Sequence, residues 1–526
     1  MKLPKRAEQA GDRSKLLETF VDVGTLFTLL TNKDHQVLYG RRGTGKTHVL
    51  SYLEGIRRKQ GDCAIYIDMR TVGSTGGIYS DTSLPTTQRA TRLLADTLGA
   101  IQYGLYEYFV ERSEESNFAQ AGPLLDHLAD AITEVAVKGT VEKEQTTSDN
   151  MEDSGSLNAE LSAGTTGAGL KIGGSAGQKE TLQVGRRLTE TGVAEYRIHF
   201  GSVGHYFNAL ARVILPHRTW ILLDEWSSVP RDLQPLLADL LRRAIFPVPN
   251  FTVKIATIEQ RSRFRISKAP DEHIGIELGA DIGAELNLDD FMVFDTNRER
   301  AKLFFKELLF KHVRAIEDID LSLIPQTADE LIRQGFTQRN AFDEFVRATE
   351  GVSRDAFYIL GQAAQRALDA PISVNDIRGA ASRWYQQDKE ATLRSYDKAR
   401  DLLHWIIDIV IGQRRARAFL LRTGPTPELI DFLFDERLLH LLKRNVSSRD
   451  EPGARYDVYK LDFGCYVDLI TTQKATKSLL GDSVEEDDND SDVPLDDYRA
   501  IRRAILDIDA FLKDYDKPKG YQLRLM

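Results

Sequence analysis

Cysteine is nearly absent: Cys63 and Cys465 are the only two in 526 residues, too few for a disulfide framework or a four-cysteine zinc site. A reducing compartment, hence a cytoplasmic location, is the expectation. Long apolar runs are missing as well. The greasiest stretch, 402–411, is interrupted by His404 and Asp408 and followed by Arg414, short of the roughly 18 apolar residues a membrane helix needs. The opening MKLPKRAEQAGDRSKL holds no apolar core of a secretory signal, so no membrane partner is expected. An excess of positive charge is also lacking. The 69 Lys and Arg stand against 79 Asp and Glu, a net of −10, which excludes a chain that coats nucleic acid by bulk charge but not a local basic face.

What is present is an ordinary globular composition, 42% hydrophobic and 28% charged, long enough for several domains. An N-terminal helical segment (1–35) leads into alternating strands and helices over 36–295, the pattern of a parallel α/β sheet. Apolar spacing places one helix over 15–30. Strands are expected at 37–39, 64–67, 196–200, 220–223 and 252–257, and helices at 48–59, 86–108, 123–137, 204–214 and 233–245. Composition shifts to Gly, Ser, Thr and charge over 139–193, read as a linker or, from Leu170, Ile172, Leu182 and Val184, as an inserted hairpin. Helices alone fill 296–392. A unit mixing helices with a hairpin covers 393–475, and 476–526 is an acidic linker with a closing helix at 499–515.

Gly40-Arg41-Arg42-Gly43-Thr44-Gly45-Lys46-Thr47 satisfies every fixed position of the phosphate-binding loop and sits between a strand and a helix. A chain wrapped around a triphosphate must aim successive N–H groups inward, which requires glycine where a Cβ would collide. The following helix, beginning near His48, points its positive end at the phosphates. Lys46 supplies a charge, and Thr47 a hydroxyl for Mg²⁺. Trp220-Ile221-Leu222-Leu223-Asp224-Glu225 complements it: a fully apolar strand ends in two acids at the carboxyl edge of a parallel sheet. Asp224 is the expected metal carboxylate and Glu225 the base that orients the attacking water. Thr257 ends the neighbouring strand, with Glu259 and Gln260 beyond it, where a polar residue reads the γ-phosphate. Arg261, Arg263 and Arg265 alternate, so in extended chain they project one way, either as a basic surface or as an arginine finger for a neighbour's nucleotide; Arg242 and Arg243 compete. Ser353 is placed to cap a helix that carries Arg354.

These motifs resemble the AAA+ class of P-loop ATPases, and within it the origin-recognition and cell-division-cycle initiator-like clade. The resemblance rests on GRRGTGKT at Gly40, WILLDEW at Trp220, KIAT at Lys254, GVSRDAF at Gly351 and ISVNDI at Ile372. It implies an α/β P-loop core with an all-helical lid (296–392) and a C-terminal winged helix (393–475), with ATP and Mg²⁺ as cofactors. It also implies Arg354 as the lid's nucleotide sensor. A homo-oligomer is expected. Two outputs stay open: movement of the winged helix on duplex DNA or a DNA-associated partner, or a signalling or anti-phage defence switch whose winged helix activates a protein effector. Between Ser395 and Leu480, 14 Lys and Arg face 12 Asp and Glu, a net of +2, which decides neither. Arg414, Arg415, Arg417, Lys443, Arg444 and Arg449 are the candidate phosphate contacts.

Overall fold

The computed structural model describes the chain from Arg13 to Tyr515, apart from residues 23–25, 73–78, 113–116, 133–134, 139–140, 143–188, 191–192, 197, 270–271, 294–296, 317–323, 415, 417, 425–426, 448–452 and 472–504. Five strands form an all-parallel sheet: β1 (Gln36–Tyr39), β2 (Cys63–Asp68), β3 (Thr219–Asp224), β4 (Phe251–Thr257) and β5 (Ala284–Asn287), in the order β5-β1-β4-β3-β2. Every residue of β1, β3 and β4 is buried, as strands covered by helices on both faces must be. Period-two alternation sorts their side chains into two cores. Leu38, Trp220 and Leu222 pack with Leu50 and Leu53 of α1 (Lys46–Lys59). Val37, Ile221 and Ile255 pack on the opposite face, with Leu98 and Ile101 of α2 (Thr86–Glu111) and Phe207 and Leu210 of α3 (Phe200–Ile214).

Several expected boundaries are corrected. The chain over 15–30 forms two short helices, Arg13–Thr19 and Leu26–Leu30. The helix expected at 123–137 is Phe118–Ile132, and the chain is in a strand again by Val135. The strand expected at 196–200 ends at Tyr196, because α3 starts at Phe200. Gly201 and Gly204 lower helix propensity there, but burial of Val203, Phe207, Leu210, Ala211 and Ile214 along one face overrides it. The helix expected at 233–245 runs Gln234–Leu240 and continues as a π segment to Ile245.

Residues 133–197 form a second unit, in which Val135–Lys138 pairs antiparallel with Val193–Tyr196 and Val141–Glu142 with Thr189–Glu190. The alternations at Leu170, Ile172, Leu182 and Val184 lie outside the described residues, as do Arg415, Arg417 and Arg449 and the acidic stretch.

After a single turn of helix at Asp289–Met292, the described residues form five longer helices: Arg298–Arg314, Ala328–Gly335, Arg339–Ala348, α4 (Ser353–Ala367) and Val374–Trp384. Asn297 and Thr327 cap two of them, and Ser373 forms a capping box with Asp376. Ser353 does not cap α4; Val352 holds that position without a side-chain bond. Beyond the lid, helix Asp397–Ile407 precedes a three-stranded antiparallel sheet, β6 (Ala418–Arg422), β7 (Leu439–Ser447) and β8 (Arg455–Leu461), in the order β6-β8-β7. Helix Glu428–Asp435 lies between β6 and β7, and α5 (Phe463–Thr471) follows β8. The closing helix is shorter than expected, Ile508–Tyr515, and Leu506 hydrogen-bonds Leu420 of β6. Among the described residues no helix is long and apolar enough to cross a membrane.

Candidate functional site

The loop Gly40–Thr47 leaves β1 at the carboxyl edge of the sheet. It hangs from the neighbouring strand, since the Gly40 N–H donates to the Thr257 carbonyl at 3.2 Å. Gly43 and Gly45 take φ of 84° and 101°, the left-handed region that glycine enters without a Cβ penalty. At Gly43 close approach adds a second requirement: a Cβ there would lie 2.8 Å from the Arg354 Cβ. Thr44 closes the turn through its hydroxyl, bonded to the Arg41 carbonyl at 2.9 Å. Gly45 precedes α1, so Lys46 and Thr47 are its first helical residues. The buried Lys46 ammonium donates to the carbonyls of Gly40 (2.9 Å) and Arg41 (3.1 Å). Burial lowers its pKa, opposed by the charges of Glu225, Asp224 and Asp289 and reinforced by that of Arg354. His48 turns away, with Nε2 2.6 Å from the Leu16 carbonyl oxygen.

Asp224 ends β3 on the same sheet edge, one strand from β1. The registers fix this, because Tyr39 stands opposite Thr257 while Leu223 stands opposite Ile255 on the shared neighbour β4. The Asp224 side chain is fully buried. Its Oδ2 accepts from the Tyr66 hydroxyl at 2.7 Å and its Oδ1 from the Glu225 N–H at 2.8 Å. Burial and the adjacent carboxylate drive the Tyr66 phenol far above its ordinary range, so it remains a donor. Tyr66 had no sequence signal; only the β2–β3 register brings it to the acid. Glu225, half-buried, has φ of 54°, a conformation that costs a non-glycine residue energy and that clusters at functional sites.

The end of β4 departs from expectation. Thr257 is buried and its hydroxyl bonds that of Ser262 at 2.5 Å. The three arginines do not form one row, because Glu259–Arg261 is a single 3₁₀ turn. Gln234 pins that turn, donating to the Arg261 carbonyl at 3.0 Å and accepting from the Arg263 N–H at 2.7 Å, while Phe264 is drawn under Trp226 with ring centroids 5.3 Å apart. Arg261 consequently pairs with Asp435, Arg263 is exposed, and Arg265 pairs with Glu277 at 2.6 Å. Arg242 and Arg243 are both engaged by Asp239, at 2.8 and 2.6 Å.

The lid meets the loop directly: the Arg354 N–H donates to the Gly43 carbonyl at 3.0 Å. That bond satisfies a first-turn donor of α4 that no side chain caps. Arg41 reaches further. Its guanidinium bonds Asp289 Oδ1 at 3.0 Å, the Glu350 carbonyl at 2.7 Å and the His440 ring, so the side chain is committed to three other parts of the fold. Arg42 lies 3.8 Å from Glu436 and is 48% exposed. Behind them lies a buried charge network with no sequence signal. Lys389 joins Asp355 (2.9 Å) to Asp462 (2.5 Å), Lys460 pairs with Glu350 (2.5 Å), and Arg437 joins Asp355 to Asp388. Burial keeps His440 neutral, so Nδ1 accepts from Arg41 and Nε2–H donates to Asp462 at 3.0 Å.

A parallel sheet in this strand order, with a glycine-rich loop and an acid pair on one edge and a helical lid bonded to the loop, defines a P-loop nucleotide-binding fold of the AAA+ type. Residues 3–156 match the family model described as ORC-CDC6-like. No curated protein matches the sequence. Similar solved structures include Cdc6p from Pyrobaculum aerophilum, at 11% identity and TM-score 0.30, covering 90% of this chain and 95% of that one. The Aeropyrum pernix Orc1 protein, solved in complex with DNA, shows 14% identity and TM-score 0.28 over 89% and 94%. A RuvB variant from Thermotoga maritima shows 12% and 0.27 over 77% and 79%. At TM-scores this low, the fold assignment stands on strand order and site geometry.

Proposed function

We propose that the chain binds and hydrolyses ATP and uses the nucleotide state to move its lid and C-terminal sheet, acting on DNA or a DNA-associated partner. One observation carries the catalytic part: a buried lysine at the head of α1 and a strained Asp224–Glu225 pair share one sheet edge, close enough for the acids to shift the lysine's titration. The residues fit a magnesium triphosphate. Two left-handed glycines and a helix start make an anion cradle, while a threonine hydroxyl and a buried carboxylate are hard oxygen donors. Lys46 and the loop N–H groups would hold the phosphates, and Thr47 with Asp224 the Mg²⁺, which supplies charge neutralisation at the transferring phosphoryl group. Glu225 orients and deprotonates the attacking water. Arg354, bonded through its backbone to the loop, carries the loop's state into the lid.

Glu225→Gln should retain ATP while steady-state phosphate release falls by about 10²-fold or more; undiminished release would reject the base assignment. The DNA part draws on the ORC-CDC6-like match. The protein-effector reading has one observation in its favour, for Arg444 among the candidate phosphate contacts is spent on Glu259 within the chain. DNA affinity that falls steeply with salt and is weakened by Lys443→Ala would support the first output; no binding with ATP present would favour the second.

A further inference from the structure

The C-terminal sheet is held on two sides by bonds of different kinds. Toward the lid it is welded. Phe463, Cys465 and Tyr466 share a hydrophobic core with Ala381, Trp384 and Tyr385. The side chains of Asp355, Lys389, Asp462, Glu350 and Lys460 beside that core are at most 2% exposed, so breaking one of those ion pairs leaves a buried charge. Toward the nucleotide edge it is held by one buried bond, between Arg41 and His440, and otherwise clasped by pairs that water reaches: Arg42 with Glu436, Arg261 with Asp435 and Arg444 with Glu259, the three arginines being 48%, 33% and 38% exposed. Such pairs are individually weak and screened by salt. They also sit where the site is read, one beside the phosphate loop and two just beyond β4.

Resting on the nucleotide-switch reading above, we propose that the C-terminal sheet is an autoinhibitory clasp. Closed, it occupies Arg42, Glu259 and Arg261; released, it opens that edge to a second copy of this chain, swinging away as one body with the lid. The edge itself supplies a spring. Burial raises the pKa of both Glu285 and Asp290, Glu259 adds to it at each, beside Asp289 at Asp290, and Arg444 opposes it. Removing Arg444 therefore leaves like charges facing one another.

The test is a charge swap on the full-length chain, with amide hydrogen exchange measured without nucleotide. Arg444→Glu should speed exchange of the 258–262 and 436–443 amides on the order of five-fold, the population change that one such pair permits. Amides of β2 should be unmoved, and adding Glu259→Arg to Arg444→Glu should restore the wild-type rate. Unchanged exchange in Arg444→Glu, or no recovery in the double variant, would overturn the clasp. Light scattering with ATP then reads its meaning: Arg444→Glu should self-associate at several-fold lower concentration than wild type, and equal association would overturn autoinhibition. Failure of the wild-type chain to bind ATP would retire the nucleotide reading while leaving the exchange result standing.

Discussion

Asp224 illustrates what a single residue requires of its surroundings. A buried carboxylate must be hydrogen-bonded, and its donors are the Tyr66 hydroxyl and the next residue's N–H. Tyr66→Phe should lower stability by about 2 kcal/mol, and an unchanged denaturation midpoint would show that the bond contributes nothing. His312 makes a second residue-scale claim. It lies against Phe357 with ring centroids 4.6 Å apart, and burial lowers its pKa from 6.5 to about 4. The unfolded chain therefore takes up this proton below pH 6.5 while the folded chain does not until about pH 4, so stability should fall as pH drops through that window, by on the order of 3 kcal/mol for this group. Unfolding of His312→Phe across the same window should show a shallower pH dependence; an identical slope would contradict the assignment. Of these residues, Lys46, Thr47, Asp224 and Glu225 stand out in sequence because loop and strand chemistry restrict what can occupy those positions. Tyr66 and His312 do not, since an aromatic in a strand or helix looks the same whether it packs or bonds.

At the scale of elements, four of the five strands were readable, because β3 holds the continuous apolar run Trp220–Leu223, β-branched residues mark β4 and the loop marks the end of β1, whereas β5, with the sequence AELN, carries no such signal. Helix α3 was readable over 204–214 but not in its first turn, where Gly201 and Gly204 mask the periodicity and the start at Phe200 is set by packing. The 3₁₀ turn after β4 escaped for a related reason: Gln234, distant in sequence, fixes it. The seam between lid and C-terminal sheet rests on Gly464, where an added Cβ would come within 2.5 Å of the Ala381 carbonyl oxygen and 2.7 Å of the Tyr385 Cβ. Backbone on one side leaves little room to yield. Gly464→Ala should accordingly destabilise the protein by roughly 1–3 kcal/mol, and a thermal midpoint equal to wild type would show that the seam can shift without cost.

Across the whole molecule, the lid, C-terminal sheet and nucleotide edge meet around Arg41, which no motif singles out for that role because its place in the phosphate loop accounts for it already. Buried charges such as Lys389, Asp355 and Lys460 read in sequence as ordinary solvated residues; their partners are set by tertiary contact between segments up to about a hundred residues apart. All of this presupposes that one Mg²⁺-bound triphosphate is gripped jointly by the loop of Lys46 and by Asp224. Calorimetric titration of ATP with and without Mg²⁺, on wild type and on Lys46→Ala and Asp224→Asn, tests that most directly. The account predicts one nucleotide per chain, with affinity lost in Lys46→Ala and with the Mg²⁺ dependence lost in Asp224→Asn. Binding of wild-type strength and metal dependence in both variants would contradict it.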